Sequence, residues 1–279
     1  MNHMQANIGR FKRLSPGMVA VLGVPFDAKS SFRRGPALAP PRIREALHSD
    51  AANLCAENGM DLAQETGWRE IGDLALPDGT TALTGIERAV EDVLSRDARV
   101  ITLGGDHSIT YPIMQAYARA YPRLNLLQLD AHPDLYDELE GDRYSHACPF
   151  ARIMEAGLVE RLVQLGVRTM TPHQRAQAAR FGVEVVEMRH WRAGVDLDFA
   201  GPLYLSLDMD CLDPAFAPGV SHHEPGGLST REVLGVIQRL RGPLVGADIV
   251  ELNPERDWMG MTAMVAAKFL KEILARMLA

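Results

Sequence analysis

The feature that most constrains the fold of this 279-residue chain is a regular alternation of short apolar runs with segments of helical period. The runs are rich in Val, Ile and Leu and lack strict apolar–polar alternation, as expected of strands buried on both faces of a sheet. The alternation predicts an α/β fold with a parallel sheet flanked by helices. The predicted strands are MVAVLGVPF, RVITLGGDH, LNLLQLDAH, RLVQLGVRT, VEVVEM, LYLSLDMD and LVGADIVEL.

The segments between these runs predict helices. Ser229 and Thr262 stand at the start of the last two, where a hydroxyl side chain can cap the first free amide groups. No internal repeat, low-complexity tract or linker interrupts the pattern, so we expect residues 1–279 to form a single domain. The predicted helices are PRIREALHSD, TGIERAVEDVLSRD, TYPIMQAYARAY, PFARIMEAGL, PHQRAQAARF, STREVLGVIQRLRG and TAMVAAKFLKEILARML.

The composition excludes several classes of function. A net charge of -7 gives no basic surface for nucleic acid or an anionic membrane. No apolar run approaches the roughly 20 residues that cross a bilayer, and the N-terminus has no signal-peptide core. Cys55, Cys148 and Cys211 are too few and too scattered for a disulfide framework or a CxxC zinc site. No dinucleotide or P-loop motif is present. We therefore expect a soluble cytoplasmic protein.

Acidic and imidazole side chains follow four of the predicted strands. Open parallel sheets bind ligands beyond the carboxyl ends of their strands, so these side chains should meet at one edge. The residues are Asp106 and His107; Asp130, His132 and Asp134; Asp208, Asp210 and Asp213; and Glu251.

Each cluster alone has an ordinary explanation. GGDHS is a common strand-to-helix turn in which His107 could cap a helix, and DAHPD could be a solvated loop. LDMDCLDP lacks the glycine and distal glutamate of an EF-hand. Together, two His and four Asp suit two neighbouring divalent ions about 3.5–4 Å apart. Oxygen donors with imidazole favour manganese-like six-coordinate ions over tetrahedral zinc.

The order of three motifs, GGDHS, DAHPD and SLDMDCLDP, resembles that of the ureohydrolases, the family of arginase and agmatinase. The resemblance also covers SFRRGPALAPPRIREAL, SHACPFARIMEAGL, PGGLSTRE and VELNPERD to TAMVAAK, and so spans nearly the whole chain. It implies a three-layer α/β/α fold around an eight-stranded, mostly parallel sheet. It also implies two Mn²⁺ ions per chain and a homo-oligomer, commonly a trimer or a hexamer.

The resemblance further implies a role for individual residues, in the hydrolysis of a guanidino compound to urea and an amine. His146 corresponds to the family's proton-transferring histidine, although a helix-opening histidine is often only a cap. Glu251 corresponds to the carboxylate that binds the substrate guanidinium. The implied ligands are His107, Asp130, Asp134 and Asp208 for one metal ion, and Asp130, His132, Asp208 and Asp210 for the other, with Asp130 and Asp208 bridging.

This chemistry explains why such residues are needed. A guanidinium carbon is a poor electrophile because its positive charge is delocalised over its nitrogens. Two metal ions can lower the pKa of a water between them from about 15.7 toward about 7, which provides hydroxide at neutral pH. Glu251 would orient the guanidinium, and His146, with an ordinary pKa of about 6.5, would protonate the departing nitrogen.

The sequence favours agmatine as the substrate. The resemblance implies that arginase holds the amino-acid end of arginine partly through an Asn at the position of Tyr136. The loop that follows carries Asp137, Glu138, Glu140 and Asp142. These acids would attract a terminal amine and repel a carboxylate, unless the loop is only a solvated surface.

The segment GVSHHEPGG departs from the family's usual Gly-Thr-Gly-Thr-Pro. His222 and His223 could reshape the pocket for guanidinobutyrate, guanidinopropionate or arginine, or they could lie on the surface. Two rival classes also stay open. A deacetylase on a related fold would use a single zinc, and a non-catalytic regulator would be expected to have lost ligand residues, which are intact here.

Overall fold

A single parallel sheet forms the centre of the molecule in the computed structural model, which describes residues 11, 13–77, 81–191, 195 and 197–279. Eight strands follow one another in the order β2-β1-β3-β8-β7-β4-β5-β6, and every pair of neighbours is parallel. The strands are β1 (Val19–Gly23), β2 (Trp68–Asp73), β3 (Arg99–Leu103), β4 (Asn125–Leu129), β5 (Arg161–Leu165), β6 (Glu184–Val186), β7 (Leu203–Asp208) and β8 (Leu244–Val250).

Helices cover both faces of the sheet. One buried apolar cluster joins α1, α6 and α7 to one face, and a second joins α2, α3, α4 and α5 to the other. The three-layer α/β/α architecture is therefore confirmed. The helices are α1 (Ala39–Leu47), α2 (Thr81–Leu94), α3 (Thr110–Ala120), α4 (Pro149–Glu155), α5 (Pro172–Phe181), α6 (Thr230–Arg239) and α7 (Met261–Leu278).

Two details differ from the sequence-based expectations. Strand β2 was not predicted, because at the edge of the sheet it is only partly buried and carries polar residues. The prediction that Thr262 caps α7 is wrong, since Gly260 occupies that position. Thr262 lies inside the first turn, and its Oγ1 accepts a hydrogen bond from the Gly219 amide at 2.8 Å. The predicted cap at Ser229 is confirmed as a capping box with Glu232.

Strand register aligns a row of polar side chains across the middle of the sheet. Thr102 pairs with Asp248, Asp248 with Ser206, Ser206 with Gln128, and Gln128 with Gln164. All five side chains are fully buried. The row lies just before the carboxyl ends of the strands. Within the described part of the chain, no helix combines the length and apolar character needed to cross a bilayer.

Candidate metal centre

The turn after β3 brings His107 into the interior. Gly105 packs against the backbone of Phe26, where an added Cβ would lie 1.8 Å from the Phe26 carbonyl oxygen. Asp106 then caps a short 3₁₀ turn by accepting a hydrogen bond from the Ser108 amide at 3.1 Å. The close approach at Gly105 and the cap at Asp106 fix the direction in which the fully buried His107 ring points.

Three carboxylates surround one nitrogen of His107. The Nδ1 atom lies 3.1 Å from Asp130 Oδ2, 3.2 Å from Asp134 Oδ2 and 3.2 Å from Asp208 Oδ2. The nitrogen nevertheless makes no directed hydrogen bond with any of the three. A nitrogen and three oxygens that converge on one space without bonding to each other form the donor set that a cation requires.

A second group of donors adjoins the first. His132 Nδ1 lies 3.0 Å from Asp210 Oδ2 and 3.5 Å from Asp130 Oδ1. Asp130 belongs to both groups, since its ligand atoms lie close to His107 and Asp134 on one side and to His132 and Asp210 on the other. The structure thus brings all six predicted ligands together. The bridging role of Asp130 agrees with this geometry, and that of Asp208 stays a prediction.

Backbone amides hold the Oδ1 atoms of Asp130 and Asp208, the oxygens that do not face His107, in place. The His132 amide donates to Asp130 Oδ1 at 2.6 Å, and the Asp210 amide donates to Asp208 Oδ1 at 2.7 Å. Asp134 and Glu251 both adopt left-handed backbone conformations, with φ of 47° and 63°. Such conformations cost non-glycine residues on the order of 1–3 kcal/mol, and they persist where the surrounding structure enforces them.

The protonation equilibria show how strongly this cluster requires a positive charge. Burial and then the Asp210 and Asp130 charges raise the pKa of the Asp208 carboxyl well above its ordinary value. Burial acts to lower the pKa of His107, but the three neighbouring carboxylates raise it well above its ordinary value. Burial also acts to lower the pKa of His132, but the charges of Asp210 and Asp130 outweigh burial and raise it to about 12. These shifts of the acid and the imidazoles have one cause, which is the crowding of buried carboxylates around the two histidines.

His146 and Glu251 lie together beside this cluster. His146 Nδ1 is 2.8 Å from Glu251 Oε1, which also accepts a hydrogen bond from the His107 amide at 3.0 Å. The second oxygen, Glu251 Oε2, is buried and makes no hydrogen bond. The other ring nitrogen of His146 lies 2.9 Å from the Ser31 hydroxyl.

A pocket of about 220 Å³ opens onto these groups. His222 forms part of its wall, with ring centroids 5.3 Å from His146 and 6.0 Å from His132. Burial lowers the pKa of His222. His223 instead lies on the surface and contacts Pro218 and Arg256. Besides the site residues and His222, the pocket is lined by Ser31, Tyr136, Leu139, Ala147 and Gln174.

The acidic loop after Tyr136 is largely neutralised by its own neighbours. Asp137 pairs with Arg143 at 2.9 Å and with Arg152 at 2.8 Å, and Asp142 pairs with Lys29 at 2.7 Å. Glu138 and Glu140 are exposed. The pocket lining includes none of these acids. The amine-attracting role predicted for the loop therefore loses its main support.

Two further candidates lie outside the centre. Asp213 accepts hydrogen bonds from the Ala215 and Gly226 amides and shapes a loop. Cys148 is buried, and burial raises the pKa of its thiol to about 12.

Sequence reasoning missed the residues behind the ligands. Gln128 donates to Asp130 Oδ2 at 2.6 Å, and Gln164 donates to Gln128 Oε1 at 2.5 Å. Ser206 contacts His107. The available signal was a polar residue inside each of the three apolar runs that carry Gln128, Gln164 and Ser206, such as the glutamine of LLQLD.

Residues 18–275 match the model of the arginase family. The chain belongs to the arginase family. As an arginase-family protein, it is a hydrolase of guanidino compounds. The cluster described above is its candidate set of metal ligands.

Three relatives illustrate the similarity. Arginase 1, mitochondrial, of Arabidopsis thaliana is 44% identical over 96% of this chain and 84% of its own length. The structure of arginase from Medicago truncatula superposes with a TM-score of 0.89 at 40% identity, covering 99% of this chain and 92% of that one. A protein described as a hypothetical agmatinase from Burkholderia thailandensis has a TM-score of 0.83 at 32% identity, covering 94% and 86%.

Proposed function

We propose that this arginase-family protein hydrolyses L-arginine, or a close analogue, to urea and an amine with the aid of two manganese ions. The observation that carries the proposal is the placement of Glu251. Glu251 lines the pocket together with His132, Asp134, Asp208 and Asp210, and its buried Oε2 has no hydrogen-bond partner. A buried carboxylate oxygen without a partner is costly unless a cationic ligand binds there.

The donor set suits manganese. His107, Asp130, Asp134 and Asp208 would hold one ion. Asp130, His132, Asp208 and Asp210 would hold the other, within one domain that spans the chain. Carboxylate oxygens dominate, and two imidazoles complete the set, as six-coordinate manganese prefers. When bound, the ions would supply a hydroxide nucleophile at neutral pH.

Glu251 and His146 would act on the substrate. Glu251 Oε2 accepts N–H groups of the guanidinium and holds its carbon facing the ligand cluster, which is a positioning effect. Burial acts to lower the pKa of His146, but the negative charge of Glu251 outweighs burial and raises it to about 9. His146 is therefore protonated near neutral pH and has a proton to give to the departing nitrogen.

Charges at the rim support a substrate with a carboxylate tail. Arg33 and Arg34 are exposed, and neither guanidinium has an acidic partner among the described residues. Arg33 stacks on Phe32 at 5.3 Å, and Phe32 contacts His222 of the pocket wall, with ring centroids 5.7 Å apart. Unpaired cations near the pocket attract a carboxylate and repel a second amine.

The similarity to two relatives from Arabidopsis and Medicago agrees with arginine, since both are described as arginases. Agmatine stays the second candidate, supported by Tyr136 and by the similarity to the protein described as a hypothetical agmatinase. Guanidinobutyrate and guanidinopropionate share the carboxylate tail and belong in the same comparison.

Urea release from manganese-loaded protein tests the proposal. We expect L-arginine to give the highest kcat/KM among arginine, agmatine, guanidinobutyrate and guanidinopropionate, with close to two manganese ions per chain. Asp208→Ala should remove activity and weaken metal binding in a folded protein. Urea from none of the four would refute the proposal, and one tightly bound zinc would favour the deacetylase class. The cytoplasmic location and the trimeric or hexameric assembly stay predictions.

A further inference from the structure

The polar row across the sheet reaches the metal centre through His107. The ring has two nitrogens, and Nδ1 faces the three carboxylates. Nε2 points the opposite way and lies 2.9 Å from Ser206 Oγ. Ser206 Oγ in turn donates a hydrogen bond to Asp248 Oδ1 at 2.7 Å. His107, Ser206 and Asp248 are all fully buried.

The second oxygen of Asp248 is also occupied. Thr110 Oγ1 donates to Asp248 Oδ2 at 3.0 Å, and the Tyr204 hydroxyl donates to the same oxygen at 3.1 Å. A carboxylate with hydroxyl donors at both oxygens has a fixed orientation. Asp248 lies within β8, before the strand's carboxyl end, and is not a member of the ligand cluster. The proposed function gives it no role of its own.

These contacts determine which nitrogen of His107 carries the proton when the ring is neutral. The Ser206 hydroxyl has one hydrogen, which it gives to Asp248, so its oxygen can only accept from His107 Nε2–H. The proton on Nε2 leaves a lone pair on Nδ1, directed at the space between Asp130, Asp134 and Asp208. A histidine binds a metal ion through such a lone pair, and the partner of its other nitrogen sets the tautomer.

We propose that Asp248 and Ser206 are positioning residues that hold His107 in its metal-binding tautomer and orientation. This inference rests on the proposed manganese site, and it assigns a function to two residues that touch neither ion nor substrate. Tertiary contacts of this kind commonly change metal affinity about 10- to 100-fold when they are removed.

Ser206→Ala and Tyr204→Phe form a matched pair for the test. Each removes one hydroxyl donor from Asp248, but only Ser206 links Asp248 to His107. Metal-free protein is titrated with Mn²⁺ while free Mn²⁺ is followed by electron paramagnetic resonance, which gives a Kd for each ion without any measurement of turnover. Ser206→Ala should raise the Kd of one ion about 10- to 100-fold, whereas Tyr204→Phe should leave both constants near wild type.

Asp248→Asn provides a second variant if Ser206→Ala does not fold. It keeps the shape of the side chain and removes its charge, so it should weaken the same ion. Wild-type affinity for both ions in Ser206→Ala and Asp248→Asn would overturn the inference, as would an equal loss of affinity in Tyr204→Phe. A wild-type protein that binds no Mn²⁺ would instead refute the proposed function, and the inference with it.

Discussion

At the residue scale, the pair formed by His146 and Glu251 decides how the pocket can act on a cation. Glu251 Oε1 is held by His146 Nδ1 and by the His107 amide, which leaves the buried Oε2 without a hydrogen bond. Burial acts to raise the pKa of Glu251, but the positive charge of His146 outweighs burial and lowers it. The carboxylate is thus ionised and pre-oriented before substrate arrives, which reduces the entropy lost on binding.

His146→Asn should lower kcat about 10²- to 10⁴-fold, because the variant has no proton to donate to the departing nitrogen. KM should change much less, since Glu251 Oε2 remains available to the guanidinium. His223→Asn is the matched control, because His223 lies on the surface and should tolerate the change. A His146→Asn enzyme with wild-type kcat would remove this histidine from the proton transfer.

Sequence reasoning pointed to the residues that converge in the cluster and not to those that support them. Asp130 and Asp210 stood out because acids at the end of an apolar strand need a counter-charge, and their role as ligands stays a prediction. Gln128, Ser206 and Asp248 were not, because a polar residue inside an apolar run has no visible partner. Their alignment depends on the register between strands, which is set by contacts remote in sequence.

At the element scale, the start of α6 shows how local sequence specifies structure. Ser229 Oγ accepts a hydrogen bond from the Glu232 amide at 3.2 Å, and Glu232 Oε2 accepts from the Ser229 amide at 2.8 Å. Ser229→Ala should reduce the free energy of unfolding by about 1 kcal/mol. Urea denaturation measures the change. Ser229→Asp should retain most of the stability, and equal losses in both variants would argue against the cap.

Glu57 joins α6 to α7. It pairs with Arg231 at 2.7 Å and Lys268 at 3.3 Å, and Gln238 donates to it at 2.9 Å. The bonds from Arg231 and Gln238 lower the pKa of Glu57 from 4.5 to about 2. Because the folded-state pKa is depressed, the stabilisation is fully present above pH 4.5 and is lost as pH falls toward 2.

Glu57→Gln should therefore lower the Tm near neutral pH, and its difference from wild type should shrink as pH is lowered from 4.5 to about 2. Thermal unfolding of both proteins across this range measures the effect. Glu45→Gln is a suitable control, because Glu45 pairs with Arg42 on the exposed face of α1. A difference that stays constant with pH would show that Glu57 stabilises by packing and not by charge.

Elements were predictable where burial on both faces produced a continuous apolar run, as in β4 and β7. Strand β2 escaped notice because its residues are mostly half-exposed at the sheet edge. Helix α7 was placed correctly, but its first residue was not. The helix begins after Gly260, which adopts a left-handed conformation with φ of 72°. The sequence-based prediction chose Thr262 as the cap instead.

At the scale of the whole molecule, net charge and local charge point in opposite directions. The chain carries a net charge of -7, yet Arg33 stacks on Phe32 next to the pocket wall, and neither it nor the adjacent Arg34 has an acidic partner in the described part of the chain. Replacing both by glutamine should raise KM for arginine and guanidinobutyrate. Exposed charges contribute about 0.2–1 kcal/mol each, so for the two together we expect an increase of about twofold to thirtyfold. KM for agmatine should stay constant or fall.

Kinetics with both substrates at low and high salt check this expectation, since the effect should shrink as salt screens the charges. The matched control replaces Arg123 and Arg161 by glutamine, because these residues lie at the opposite, amino ends of β4 and β5. The rim arginines would have no role in specificity if both double variants changed KM alike for the two substrates.

The strand order also governs when the site can come into existence during synthesis. Strand β8, Leu244–Val250, is the last to leave the ribosome, yet it lies between β3 and β7 and hydrogen-bonds to both. A nascent chain that lacks it has its sheet in two unconnected halves, with His107 on one and Asp130 and Asp208 on the other. The group of donors around His107 therefore cannot assemble until β8 has been made, whereas Asp130, His132, Asp208 and Asp210 all follow neighbouring strands of the other half.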